Sequence, residues 1–224
     1  MHRKINYALI MAAGRGSRMM PLTDKIPKAM APYDGSTLIA QGISKIKSFV
    51  PYIYITVGYK GALLAQHVVD IGISGLLDTS GKDNAWWIFN TIIKELDEPI
   101  FILTCDNVTQ LDFNLLANEY FDMGEPSAMV VPVSPIKGLE GDYIQHEKNI
   151  VKKLSRNKKT NIYCSGIQIL NPKKVNNIVN PKDNFYEVWD QLICKEELFC
   201  SNTYPEKWFV ADTLDQLFNI PSGY

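Results

Sequence analysis

Short apolar runs closed by glycine, proline or an acidic residue alternate, through the first half of the chain, with longer amphipathic stretches. The runs at 7–11, Tyr52–Val57, Gly75–Asp78 and Ile100–Thr104 read as strands, and those at 37–49, 60–69 and 85–95 as helices. This βαβα order predicts an α/β fold with a mainly parallel sheet. Beyond residue 125 the pattern changes to shorter strands, Ala128–Val133, 143–145 and 162–170, separated by turn-rich and charged connections. Phe185-Tyr186-Glu187-Val188-Trp189-Asp190 reads as the start of a helix with inward aromatics.

The first strand ends in Ala12-Ala13-Gly14-Arg15-Gly16-Ser17-Arg18, and Pro27-Lys28 follows before the next helix. Two glycines among small neighbours let a loop turn tightly and bring its N–H groups close to an anion. Two arginines and a lysine in the same connection balance much of a triphosphate's charge. Neither a Walker loop nor a Rossmann fingerprint fits, because the third fingerprint position holds Met19. Open sheets of this type bind ligands at the carboxyl ends of their strands, so the loop is expected to meet Asp106, which follows the apolar run 100–104. A carboxylate there suits Mg²⁺, which takes one or two protein carboxylates and bridges substrate phosphates. The other reading of Asp106 is an Asx turn or helix cap shared with Asn107.

Composition narrows the picture further. The 224 residues and 46% hydrophobic content suit one domain over 1–224. The glycine loop makes 1–125 the nucleotide-binding half. Twenty-three basic against 24 acidic residues leave a net charge of -1, which attracts neither nucleic acid nor an anionic membrane. The apolar stretch after Arg3 and Lys4 is short and runs into the glycine loop, so a cytoplasmic protein is expected. Cys105, Cys164, Cys194 and Cys200 lack Cys-x-x-Cys spacing and are expected to be buried free thiols. His2, His67 and His146 show no catalytic or metal-binding spacing.

The whole string Met11-Ala12-Ala13-Gly14-Arg15-Gly16-Ser17-Arg18-Met19-Met20-Pro21-Leu22-Thr23, followed by Ile26-Pro27-Lys28-Ala29-Met30, resembles the signature of the sugar-phosphate nucleotidyltransferases. The resemblance implies a Rossmann-like three-layer α/β/α fold with a mixed, mainly parallel sheet and an acceptor-binding half at 126–224. It implies that Ala12, Ala13, Gly14, Arg15, Gly16 and Ser17 hold a nucleotide, that Arg18 contacts its phosphates, and that Lys28 stabilises charge on the α-phosphate. Asp106 becomes an Mg²⁺ ligand. Sugar-nucleotide members often carry Trp-x-Asp-x-Gly-Thr near the C-terminus, whereas this chain has Trp208-Phe209-Val210-Ala211-Asp212-Thr213. Val210 occupies the aspartate position; Asp212, two residues on and facing the same way along a strand, is taken as the second ligand, the other reading being a cap for 214–218.

The resemblance also places Asn84 and Ala85 where the family reads the base. Asn84 is read as a helix cap, a base contact or both, and Trp86 and Trp87 as core packing or a stacking surface. Tyr163-Cys164-Ser165-Gly166-Ile167-Gln168-Ile169-Leu170 resembles the family's acceptor strand, giving Ser165, Gly166, Gly141 and Glu187 as acceptor-side candidates. Lys152, Lys153 and Arg156 stand roughly where many sugar enzymes carry Glu-Lys-Pro, as phosphate contacts or a solvated turn. The implied function is Mg²⁺-dependent transfer of a nucleoside monophosphate from a nucleoside triphosphate to a sugar 1-phosphate, for a nucleotide-sugar or bacterial surface-glycan pathway. Asp212-Thr213 also matches relatives that cytidylylate phosphocholine-type alcohols. A non-catalytic nucleotide sensor on the same fold is the reading from another class. Homo-oligomerisation is left open.

Overall fold

The computed structural model describes residues 3–136, 139 and 141–223, so His2 lies outside the described residues. In chain order they form β1 (Tyr7–Met11), β2 (Pro32–Tyr33), β3 (Ser36–Thr37), α1 (Leu38–Lys47), β4 (Tyr52–Val57), α2 (Gly61–Val69), β5 (Gly75–Asp78), α3 (Trp86–Asn90), β6 (Ile100–Thr104) and β7 (Asn107–Gln110). There follow α4 (Phe113–Asp122), β8 (Ala128–Val133), β9 (Tyr143–Glu147), β10 (Ile150–Ser155), β11 (Tyr163–Leu170), α5 (Pro172–Ile178), α6 (Phe185–Cys194), β12 (Leu198–Cys200), β13 (Lys207–Val210) and α7 (Leu214–Phe218).

These elements make two compact units, each assembled from separated segments and neither a continuous half of the chain. The first comprises Asn6–Lys82, Leu103–Leu111 and the segment from Glu206. In it β1 pairs in parallel with β4, Tyr7 opposite Tyr52, and β4 in parallel with β5, Tyr54 opposite Gly75. Strands in this setting are buried on both faces, and Ala8, Leu9 and Ile10 are within 1% of full burial. The antiparallel pair β7–β13 sets Val210 opposite Asn107, and the contact runs on one step, Ala211 N–H donating to Asp106 C=O. A separate core cluster of Met19, Ala31, Tyr33, Leu38, Val108, Ala211, Leu217 and Ile220 packs the glycine loop, β7, β13 and α7 together.

The second unit comprises the segment up to Ile5, Asp83–Ile102 and Asp112–Pro205. Here β11 pairs antiparallel with both β6 and β8, β12 runs parallel to β8, and β10 is antiparallel to β12 and β9. All six residues of β8 are buried, as its unbroken apolar run requires. The continuous helix expected at 85–95 is not formed. α3 stops at Asn90, Thr91 is extended, and a separate 3₁₀ turn covers Ile92–Glu95. The reason is Thr91 itself: its hydroxyl donates to Trp87 C=O at 2.7 Å and accepts from Ile93 N–H at 3.3 Å, a side-chain alternative to the helical backbone ladder.

Glu119 on α4 organises the chain after β12, accepting from Ser201 Oγ at 2.5 Å and from the N–H groups of Asn202 and Thr203 at 2.6 and 3.1 Å. Burial alone would raise its carboxyl pKa, but these donors hold it below the ordinary value. A folded-state pKa below the unfolded one gives stability that is present above the unfolded value, about 4.3, and lost as pH falls through the folded value. Glu119→Gln is therefore expected to lose roughly 1–2 kcal/mol near neutral pH and to flatten the acid limb of stability measured by urea unfolding.

Candidate active site

The glycine loop is built by backbone demands. Gly16 has φ +66°, and a Cβ there would lie 2.7 Å from Lys28 Cβ, so both the left-handed backbone and the adjacent lysine require glycine. Thr23 Oγ donates to Gly16 C=O at 3.0 Å and closes the loop. Met19, the residue that breaks the fingerprint pattern, is fully buried in the core cluster and anchors exposed Arg18 beside it. Gly14, Arg15 and Ser17 are exposed, Ala13 and Gly16 half-buried. Ala12 is buried and its N–H already donates to Thr56 Oγ1 at 3.0 Å, so Ala12 supports the loop from within rather than offering a donor to a ligand.

Lys28 sits at the start of a 3₁₀ turn, its side chain 11% exposed. Its Nζ donates to Asp106 Oδ2 at 2.5 Å and to Asp212 Oδ1 at 2.7 Å. Arg18 Nη2 lies 3.2 Å from the same Asp212 oxygen. The four side chains predicted as catalytic and metal-binding thus meet, and all belong to the first unit. Burial works against the ammonium charge of Lys28, but the paired carboxylates outweigh it and hold its pKa above the ordinary lysine value. Burial likewise opposes ionisation of Asp106, and Lys28, with the Thr104 side chain, holds it below the ordinary aspartate value. Neighbouring Cys105 has its thiol pushed up to about 12 by burial and by the Asp106 charge, which makes it inert as a nucleophile.

Asp212 does not reach the site along a strand face, as alternation within β13 suggests. It lies in the bend after β13, placed by the extension of the β7–β13 pairing to Ala211 and Asp106. Its N–H donates to Gln216 Oε1 at 2.9 Å. The cap of α7 is Thr213, whose side chain accepts from Gln216 N–H in a capping box, so Asp212 is not the capping residue.

Two carboxylates that meet one nitrogen lie within reach of a single cation, and both offer oxygen. That donor set fits Mg²⁺, which is content with one or two protein carboxylates when phosphates and water supply the rest. No group of three or more His, Cys, Asp or Glu side chains able to hold a metal occurs among the described residues.

The base- and acceptor-side candidates belong to the second unit, and several of their polar groups are taken by local structure. Asn84 Oδ1 accepts from Phe185 N–H at 3.0 Å rather than capping α3, while its C=O accepts from Trp87 Nε1. Ala85 is buried with its N–H on Asp183 C=O. Trp87 is core and Trp86 half-buried. Ser165 is buried; its hydroxyl donates to Val131 C=O at 2.8 Å and accepts from Ile167 N–H, inside a register shift of β11 whose Gly166 has φ +86°. The irregularity ties the serine hydroxyl to two backbone partners. Gly141 lies against the Tyr163 ring, 2.7 Å from where a Cβ would be.

The carboxylate of Glu187 is engaged locally. It is exposed in the first turn of α6, bonded to Lys182 at 3.0 Å and Asn184 at 2.6 Å. Lys152 pairs with Glu196, and Arg156 with Asp142 and Tyr186. All four cysteines are free, Cys200 fully buried, Cys105 and Cys164 largely enclosed and Cys194 exposed, which corrects the expectation of a buried thiol at Cys194. His67 bonds Thr37 Oγ1, and His146 is exposed. Residues that sequence reasoning passed over are Thr56, Thr23 and Tyr59. Thr56 is next to last in β4, the strand beside β1, and that position was the available signal.

Comparison with known proteins gives concordant results. Residues 7–189 match the family model described as Nucleotidyl transferase. Over 109 residues, 49% of this chain and 23% of the relative, the sequence is 38% identical to the bifunctional protein GlmU of Methanococcus maripaludis. Over 205 residues, 86% of this chain and 56% of the relative, it is 22% identical to the mannose-1-phosphate guanylyltransferase catalytic subunit beta of Drosophila melanogaster. The chain therefore spans less than two thirds of the length of these curated relatives. The solved inositol-1-phosphate CTP transferase from T. maritima matches with a TM-score of 0.75 at 18% identity, covering 97% of this chain and 93% of that one. This likeness bears out the mixed α/β fold class.

Proposed function

Because the chain belongs to the nucleotidyl transferase family, we propose that it transfers a nucleoside monophosphate from a nucleoside triphosphate to a sugar 1-phosphate, forming a nucleoside diphosphate sugar and pyrophosphate. The observation that carries this reading is the convergence of Lys28, Arg18, Asp106 and Asp212 in the unit that holds the glycine loop. The relative named as a mannose-1-phosphate guanylyltransferase supports the acceptor class.

The acceptor's phosphate, mostly dianionic at neutral pH, is its own nucleophile. One of its oxygens attacks the α-phosphorus in line; the bond from the α-phosphorus to the bridging oxygen breaks, and that oxygen leaves with pyrophosphate. No protein base is required. Exposed Gly14, Arg15 and Ser17 bind the phosphates from the loop. Lys28 has three N–H donors, two of them on Asp106 and Asp212, which leaves one for a phosphoryl oxygen as charge develops. Arg18, held at Asp212 with its side chain 67% exposed, can turn to a phosphate without breaking a buried contact. Mg²⁺, held by Asp106 and Asp212, would supply further neutralisation of the phosphates.

In the decisive measurement, pyrophosphate release is followed with Mg²⁺ for each common nucleoside and deoxynucleoside triphosphate against sugar 1-phosphates, phosphocholine and related phosphoalcohols. Release with one sugar 1-phosphate is expected, and fixes base and acceptor together. Release with a phosphoalcohol alone replaces the sugar reading, in keeping with Asp212-Thr213. Nucleotide binding without release from any pair overturns the sugar 1-phosphate reading in favour of a sensor or of an acceptor outside the panel.

A further inference from the structure

The turn Gly58-Tyr59-Lys60, at the carboxyl end of β4, lies directly against the glycine loop. A Cβ on Gly58 would sit 2.7 Å from Ala13 C=O. Tyr59 is tied to both sides of that loop, its N–H donating to Ala13 C=O at 2.9 Å and its hydroxyl to Thr23 C=O at 3.0 Å. Its ring carries two cations: the Arg15 guanidinium carbon and Lys60 Nζ each lie 5.4 Å from the ring centroid. Neither cation has a carboxylate partner among the described residues, whereas Lys28 and Arg18 both do. Two cations are thus held beside the glycine loop with no carboxylate to balance them, and an anion bound there would supply the missing counter-charge.

We propose that Lys60 and Arg15 bind the β- and γ-phosphates of the nucleotide, the part that leaves as pyrophosphate, and that Tyr59 is the positioning residue that presents both. This rests on the triphosphate reading of the glycine loop. The ligand class follows from the place: half-buried Lys60 and exposed Arg15 stand at the glycine loop read as the triphosphate cradle, and cationic donors suit phosphate oxygens. Charge is thereby divided along the triphosphate, with Lys28 and Arg18 at one set of oxygens and Lys60 and Arg15 at another.

The test uses ligands that carry no base. Calorimetric binding of inorganic triphosphate and pyrophosphate is measured for the wild-type chain, Lys60→Asn, Tyr59→Leu and Tyr59→Phe. Asparagine tolerates the φ of +51° at residue 60, so Lys60→Asn removes charge without adding backbone strain. Lys60→Asn and Tyr59→Leu are expected to bind both anions about tenfold more weakly, the worth of one charge-assisted hydrogen bond. Tyr59→Phe, which keeps the ring, restores near wild-type affinity. A purely structural Tyr59 would not distinguish phenylalanine from leucine in this way. Should Tyr59→Leu fail to fold, Lys60→Asn alone decides. Wild-type binding with unaltered Lys60→Asn affinity overturns this proposal and leaves the triphosphate reading intact. A wild-type chain that binds neither anion overturns both.

Discussion

Lys28→Ala is expected to lower turnover by a factor on the order of 10²–10³, the range for losing one electrostatic donor to a transition state. Its ammonium is held at 2.5 and 2.7 Å by two carboxylates, with the side chain nearly buried, so no other cation can take its position without rearrangement. The loss should fall on kcat more than KM, because exposed Arg15 and Arg18 still bind ground-state phosphates. A second signature separates this from general damage. Without Lys28, Asp106 and Asp212 face each other with no shared cation, so the variant should unfold at lower temperature in metal-free buffer and recover when Mg²⁺ is added. The wild-type chain, whose carboxylates are already paired, should respond less. Steady-state kinetics and thermal unfolding with and without Mg²⁺ check both parts; unchanged turnover would remove Lys28 from the chemistry.

The local parts of this molecule were legible because local rules decide them. The strands Tyr52–Val57, Gly75–Asp78, Ile100–Thr104 and Ala128–Val133 begin and end where apolar runs meet turn residues. The glycine loop was legible because Gly16, with its left-handed backbone, and its small neighbours answer to local steric demands, whereas the carboxylate partners of Lys28 lie far along the chain. What the sequence concealed depends on pairing between distant segments. Nothing near Asp212 says that β13 pairs with β7, yet that register alone brings Asp212 to Asp106. Tyr59 was silent because its partners, Ala13, Thr23 and Arg15, lie on another segment. The local bonds of Ser165 and Glu187 were hidden for the opposite reason. Each has a short-range partner, Ile167 N–H and the Asn184 side chain, and a motif match does not reveal such bonds.

Asp212→Asn is expected to raise the Mg²⁺ concentration needed for half-maximal rate by at least ~10–100-fold, since even groups that only hydrogen-bond a metal's ligands carry an effect of that size. The position is informative because this chain has Val210 where sugar-nucleotide relatives often carry the aspartate. Val210 lies within β13, opposite Asn107, whereas Asp212 lies beyond the strand, in contact with Lys28 and Arg18. Asparagine preserves shape and the bend held by Gln216 but removes the charge that a cation requires. Val210→Asp in the Asp212→Asn background should therefore not restore the Mg²⁺ response, because strand pairing, not residue identity, decides which side chain reaches the lysine. Rescue by Val210→Asp would mean that position 210 also reaches the cation and that Asp212 is one of two interchangeable ligands. An Asp212→Asn variant with the wild-type Mg²⁺ curve would leave Asp106 as the lone carboxylate ligand, with Asp212 acting only as the counter-charge that holds Lys28 and Arg18 in place.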